Sequence, residues 1–322
     1  MAGFFATPPT LEGKLLTTVP KSLYAEGTSD WSPGNGPLPP IFLEGITTDT
    51  QGNLWVVDIG HGRILRFDLT GERKAATQFD STGEWKAATQ FQGNPNGLAI
   101  ARDGRIMIAD YAEGILAYDP TSGVAPHLAR RNLERFKGPN DLIVGRNGDL
   151  YFTDQGQTDM ADPTGRVYRL SETGKLDMLI GNGPSPNGLV LSPDESILYV
   201  AMTRDNSVWR CPLHKDGTTT KVARFFSTNG STGPDGLTVD VEGNLFICMP
   251  PLGAIFVISP LGEPVARIIA PKTDKSAMLT NCIFGSRPTD RKRLYFCDSL
   301  AGAVGYIDWH CEGGTPLRST KE

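Results

Sequence analysis

One motif recurs six times along the chain: a short turn bearing Glu, Asn or Asp opens an apolar run, and the copies keep nearly one period. They begin at Phe42-Leu43-Glu44-Gly45, Pro95-Asn96-Gly97-Leu98, Pro139-Asn140-Asp141-Leu142, Pro186-Asn187-Gly188-Leu189, Pro234-Asp235-Gly236-Leu237 and Thr280-Asn281-Cys282-Ile283. Taking positions 44, 96, 140, 187, 235 and 281 as equivalent, the steps are 52, 44, 47, 48 and 46 residues. A period of about 40–50 residues holding several short strands is the signature of propeller blades. Within each unit a second run follows (LWVVD, IMIAD, LYFTD, LYVAM, LFICM, LYFCD) and then a third (RILRFD, GILAYD, GRVYRL, NSVWRC, GAIFVI, AVGYID). These runs are short, rich in β-branched and aromatic residues, and bounded by Gly, Asn or Pro. None sustains a 3.6-residue apolar period, so helix is a minor component. The expected fold is all-β: a six-bladed β-propeller with about four antiparallel strands per blade, residues 1–322 forming one domain. The segment 1–41 is expected to supply a strand closing the ring against the last blade, with Trp31 to Pro40 as a loop near the mouth. The first step is long because Glu72–Phe79 recurs almost unchanged as Glu84–Phe91. That duplication enlarges the outer edge of the first blade.

Two kinds of turn recur and do different work. Gln51-Gly52, Asp103-Gly104, Asn147-Gly148 and Glu242-Gly243 lie one strand length after the motif and read as hairpin turns, where Gly accepts positive φ. The motif turns instead open the innermost strand of each blade, and those strands surround the channel. Residues 44, 96, 140, 187, 235 and 281 therefore form a ring at one mouth, reading Glu, Asn, Asn, Asn, Asp, Asn. One Pro-Asn-Gly alone means only a turn. Six in phase, with Glu44 where no turn former is required, point to converging side-chain oxygens. Oxygen donors without Cys or His suit a hard divalent cation, Ca²⁺ foremost, with Mg²⁺, Mn²⁺ and Zn²⁺ as alternatives.

At these residues the sequence resembles the gluconolactonase/regucalcin (senescence marker protein) family of six-bladed propellers, from Phe42 to Asp308. The resemblance rests on Leu43-Glu44-Gly45, Pro139-Asn140-Asp141, Pro186-Asn187-Gly188 and Pro234-Asp235-Gly236-Leu237. It implies one divalent metal held by Glu44, Asn187 and Asp235, with Asn140 as a ligand or substrate contact and Asp235 as the catalytic carboxylate. It also implies a small-molecule lactone as substrate. Two departures stand out: Gly138 occupies a position where several sugar-lactone members carry Arg, and Asn96 a position where the related paraoxonases carry His.

The remaining ring residues Asn96 and Asn281, together with Asp141 and His61, are the other candidate substrate contacts. Asp141 is the alternative base, although a turn hydrogen bond is its plainer role. His61 follows the second strand of the first blade, where a loop can face the mouth; a structural role is its plainer one. Met202 and Met249 end their strands where Asp is common, and read as core packing ahead of an apolar substrate pocket. Cys282 follows Asn281, and strand alternation turns it into the blade as a buried thiol.

Rival chemistries lack their residues. There is no Gly-x-Ser-x-Gly elbow and no phosphate-binding Gly-rich loop, and the four histidines lack zinc-ligand spacing. With 31 Lys+Arg against 36 Asp+Glu and no basic block, neither a nucleic-acid footprint nor a polybasic membrane patch is present. No apolar run approaches the ~20 residues of a membrane span. The first residues lack the basic start and apolar stretch of a secretory signal, and the five cysteines show no CxxC spacing. A cytoplasmic location with free thiols is the expectation. Three functions stay open: a metal-dependent lactonase; another hydrolase (C–C or ester) or an isomerase acting on a cyclic substrate; and a non-catalytic, calcium-binding propeller.

Overall fold

The computed structural model describes residues 7–25, 38–69, 83–230, 233–271 and 277–314. Its strands form six small sheets arranged as a six-bladed propeller, plus a two-stranded ribbon of Arg130–Arg131 with Glu134–Arg135, and the helix among the described residues is limited to short 3₁₀ turns. The innermost strands are Leu43–Thr48, Pro95–Ile100, Pro139–Val144, Pro186–Leu191, Leu237–Val239 and Leu279–Phe284. Each packs against the next, and the sixth packs against the first, so the ring closes. The second and third runs read from sequence are the second and third strands of each sheet.

The fourth strands are Gly83–Gln90, Gly123–Leu128, Leu176–Gly183, Ala223–Ser227 and Pro264–Ile269. In the sixth sheet Lys14–Thr18 takes that outermost place, antiparallel to Ala303–Asp308, so the beginning and end of the chain share one blade. Thr10–Glu12 adds a parallel strand to the edge of the fifth sheet. The second copy of the duplicated segment forms the outer strand of the first blade. The first copy, and residues 31–37 of the anticipated mouth loop, lie outside the described residues.

Six apolar clusters fill the junctions between neighbouring blades. Leu43, Leu54 and Tyr295 belong to the sixth–first junction, Phe246, Leu279 and Phe296 to the fifth–sixth. Met202 and Met249 are fully buried in two such clusters, which settles them as packing residues. The hairpin glycines Gly52, Gly104, Gly148 and Gly243 all adopt φ between 83 and 88°, a region closed to most side chains.

The aspartates ending four of the second strands have a shared task that sequence did not reveal. Asp58 Oδ1 accepts from the Phe42 N–H at 3.0 Å, Asp154 Oδ1 from Gly138 at 2.9 Å, and Asp298 Oδ1 from Met278 at 3.1 Å. Asp110 accepts from Ala112 and Glu113 and faces the Asn94 N–H. Each thus anchors the backbone two or three residues ahead of a ring residue. In the fourth blade the Thr158 hydroxyl accepts from Ser185 N instead, at 3.1 Å. Asp58 also pairs with the buried Arg63 guanidinium and with His61 Nδ1, whereas Asp110 has no basic partner among the described residues and burial raises its pKa. Asp58→Ala strands a buried guanidinium and should cost about 3–5 kcal/mol in urea denaturation. Asp110→Asn, which keeps the accepting oxygen, should cost less than about 1 kcal/mol.

Candidate metal centre and active site

The ring residues stand at breaks in their own ladders. Pairing between the first and second strands shifts register between Glu44 and Thr47, Pro95 and Gly97, Pro139 and Leu142, Pro186 and Leu189, and Leu279 and Cys282. A bulge leaves its extra residue unpaired and re-aims the side chain. In the fifth blade the strand begins only at Leu237, and Asp235 is held before it by its own N–H to Cys248 O at 2.9 Å. The same device thus recurs around the axis.

Close approach of the blades brings these residues together. A Cβ on Gly45 would lie 2.3 Å from Asn96 O, one on Gly97 2.5 Å from Asp141 Oδ1, one on Gly188 2.4 Å from Asp235 O, and one on Gly236 2.6 Å from the Asn281 carboxamide. No side chain fits at these four junctions. In the third and sixth blades the corresponding residues are Asp141 and Cys282. Asp141 reaches across the axis, where Asn281 Nδ2 donates to its Oδ2 at 3.5 Å, and the Leu142 N–H donates to its Oδ1 at 2.8 Å.

Three carboxyl groups therefore face one another with little solvent. Burial pushes Glu44 up to about 7, with the charge of Asp141 adding to it, against the Gly45 N–H, Thr280 and Asn281. Burial likewise pushes Asp141 up to about 7. Asp235 retains partial exposure, yet desolvation, followed by the charges of Glu44 and Asp141, raises it well above the carboxylate range; Asn187 donates to it. Such a set fits a hard divalent cation. Three crowded carboxyls without a basic partner among their interactions relax when a cation supplies the missing positive charge.

Hydrogen bonds sort the carboxamides. Asn140 Nδ2 donates to Gln155 Oε1 at 2.9 Å, and Gln155 Nε2 donates to Ser185 Oγ at 3.0 Å. This orients Asn140 with its amide group engaged and its carbonyl oxygen available. Asn281 is used differently. Its Oδ1 accepts from Cys282 N at 2.8 Å while its amide serves Asp141 and Glu44, so it bridges two carboxyls. Asn96 lines the same mouth with its carbonyl against Gly45. His61 lies on the turn after the second strand, its side chain buried and its Nδ1 3.1 Å from Asp58. Cys248 and Cys297 lie near the acidic ring; burial holds both thiols protonated, which leaves them poor nucleophiles.

Sequence reading missed several supporting residues. Thr280, which serves Glu44, stands where four other blades have Pro before the ring residue, and that substitution was its signal. Gln155 and Ser185 gave none. Tyr111 fills the space at Gly138: a Cβ there would meet its ring at 2.4 Å. The Tyr111 N–H donates to Asn94 O at 3.0 Å and its hydroxyl accepts from Gln157 at 2.8 Å, so its half-buried ring stands beside the starts of the second and third inner strands. Below the ring a cavity of ≈ 120 Å³ follows the axis, lined by Asp141 and Asn281 and by residues such as Leu98, Leu142, Leu189 and Leu237.

Fold and ring together define a six-bladed propeller with an acidic, carboxamide-flanked axial site. The chain belongs to the SMP-30/Gluconolactonase/LRE-like family, which matches residues 42–299. It is similar to lactonase drp35 of Staphylococcus haemolyticus, 31% identical over 287 residues covering 85% of this chain and 82% of that one. Gluconolactonase of Zymomonas mobilis is 33% identical over 211 residues, covering 60% of this chain and 58% of that protein, so the match spans less than two thirds of that relative. Among solved structures, a gluconolactonase from Xanthomonas campestris superposes with TM-score 0.68 at 23% identity, covering 83% of this chain and 86% of the other. The calcium-binding protein regucalcin from Agrobacterium tumefaciens gives 0.70 at 21%, covering 96% and 97%. At those identities the likeness shows the fold.

The crowded carboxyls give the metal-free protein a defined pH response. Glu44 and Asp141, at about 7 when folded, titrate near 4 when unfolded. Groups raised on folding contribute stability that is full below the unfolded pKa and lost as pH rises through the folded one. The Tm of chelated protein should therefore fall between about pH 5 and about pH 8. Saturating Ca²⁺ should restore it, most at the alkaline end; a Tm flat in pH without metal would mean that the carboxyls do not crowd.

Proposed function

We propose that this protein is a metal-dependent hydrolase that opens lactone rings. The observation that carries the reading is the convergence of Glu44, Asp141 and Asp235 on the axis, in a chain 31% identical over 287 residues to a lactonase. Glu44, Asn187 and Asp235 would hold the cation, with the Asn140 carbonyl oxygen joining them. A cation there supplies Lewis-acid polarisation of the lactone carbonyl, and Ca²⁺ suits the all-oxygen donor set.

The chain's own residues do the rest. Asp235 takes a proton from the water that attacks the carbonyl carbon, then returns it to the ring oxygen as the C–O bond breaks, leaving a hydroxy acid. A carboxylate shared with a cation is a weak base. Here burial, followed by the charges of Glu44 and Asp141, raises its proton affinity, while the Asn187 amide orients it. Asp141, fixed by Leu142 N–H and Asn281, keeps that negative field in place. The acid product is repelled by the same field, which favours release.

Chelation should abolish turnover on a panel of sugar, aliphatic and aromatic lactones, and one of Ca²⁺, Mg²⁺, Mn²⁺ or Zn²⁺ should restore it. Asp235→Asn with metal restored should lower kcat by roughly 10²–10⁴-fold. If Asp141→Asn shows that loss and Asp235→Asn does not, the base is Asp141. If no lactone reacts while metal binds tightly, the lactonase reading fails, and cyclic ketones and esters become the substrates to test.

The Tyr111 ring packs over Gly138, two residues before Asn140 in the chain, and we take it as an aromatic wall of the substrate site. A lactone bearing an apolar substituent gains contact there, and a polyhydroxylated one does not. Tyr111→Ala should raise KM for the apolar-substituted lactones about tenfold with kcat within about twofold, and leave KM for sugar lactones unchanged.

A further inference from the structure

At the face of the propeller opposite the ring, the end of the chain crosses onto the fifth blade. After the last strand of the sixth blade, Trp309 N donates to Lys292 O at 2.6 Å, Gly313 N to Arg291 O at 2.9 Å and Gly314 N to Val239 O at 2.8 Å, while Val241 N donates to Glu312 O at 2.9 Å. Residues 309–314 are thus tied on one side to the sixth blade's own turn, through Arg291 and Lys292, and on the other to the hairpin that joins the first and second strands of the fifth blade, through Val239 and Val241. The crossing gathers Asp240 and Glu242 from the turn with His310 and Cys311 from the tail, one donor atom from each lying within 4.8 Å of all the others.

We propose that Asp240, Glu242, His310 and Cys311 form a zinc site that clips the end of the chain to the fifth blade. The donor set decides the metal: one thiolate, one imidazole and two carboxylates suit a borderline-soft tetrahedral ion, unlike the all-oxygen ring. Zinc bonds of about 2.0–2.3 Å place tetrahedral donors about 3.3–3.8 Å apart, so the cluster must close by about 1 Å. The two side chains with room to move supply that closure. Glu242 and His310 are 56% and 55% exposed, with His310 Nε2 already 3.1 Å from Glu242 Oε2.

The rest is fixed in advance. Asp240 is fully buried. Its Oδ1 accepts from the Glu242 and Asn244 N–H groups, and its Oδ2 from Asn244 Nδ2 at 2.8 Å and Trp309 Nε1 at 2.9 Å. Trp309 is itself wedged edge-on against Phe246, ring centroids 5.1 Å apart. These four bonds fix the carboxylate and fill the acceptor positions of both oxygens, so zinc takes the place of one of them. The Cys311 thiol hydrogen-bonds to the Asp240 carboxylate, so these two side chains already face one another. Lys292 is the nearby base, donating through Nζ to the His310 carbonyl at 3.1 Å, away from the donor atoms.

The test separates this site from the ring. Full-length protein is stripped with chelator, saturated with Ca²⁺ to occupy all-oxygen sites, and titrated calorimetrically with Zn²⁺. One zinc per chain should bind, and His310→Ala and Cys311→Ser should each weaken it at least tenfold, whereas Glu44→Gln should not. Cobalt added in place of zinc should give the near-ultraviolet thiolate-to-cobalt absorption, lost in Cys311→Ser. His310 is exposed, so its variant should fold as the parent does and keep its lactone turnover. No zinc uptake beside Ca²⁺, binding lost in Glu44→Gln but kept in His310→Ala, or a cobalt complex without the thiolate band would each overturn the proposal.

Discussion

The dimensions of the axial ring follow from how closely neighbouring inner strands can approach. At four of the six junctions the residue after the ring residue is glycine, and a single added carbon would strike the next blade's backbone or its ring carboxamide or carboxylate. That contact distance sets the diameter of the mouth. A narrow mouth forces Glu44, Asp141 and Asp235 to share a small, poorly solvated space, and their raised proton affinities are the consequence. Packing, charge and chemistry are thus linked through a few missing side chains. At the two junctions without glycine, Asp141 and Cys282 take the place, and Asp141 turns that vacancy in the pattern into a third carboxylate.

The strands supply rigidity, and their defects supply the site. A regular ladder would alternate side chains between the two faces of each blade and leave none aimed at the axis. The register shifts at the start of five inner strands release the ring residues from that alternation, and in the fifth blade the ladder simply begins later. The aspartates ending four of the second strands, and Thr158 in the fourth blade, then pin the backbone just ahead of these bulges. Bulges alone are compliant; anchored at both sides they hold donors in place, as a preorganised site requires. The Asn140–Gln155–Ser185 chain extends the same anchoring to a side chain.

Much of this was legible in the chain itself. Inner, second and third strands carry strong apolar patterns because they lie between blades, and their residues were read almost to their ends. The outer strands were not, since half-exposed segments such as Gly83–Gln90 and Gly123–Leu128 have no clear alternation. The six ring positions were legible because Asn, Asp and Glu at one period have little reason to recur by turn formation alone. Their supporting cast was not: Gln155, Ser185 and Tyr111 come from loops, where no periodicity marks them. The aspartate at the end of the second strand was visible as a repeat, but its task was hidden because its partner is a backbone N–H.

By itself the sequence determined the number of blades, the order of strands within them and which six turns open the inner strands, because period and hydrophobic pattern are local properties of the chain. Only the tertiary structure decided how close the ring residues come, which carboxamides keep a free oxygen, and that Asp240 and Glu242 meet His310 and Cys311 about 70 residues further along. Such meetings depend on loop paths and on the contact distances between blades. Those are fixed by the summed packing of distant segments, and no single stretch of sequence carries them.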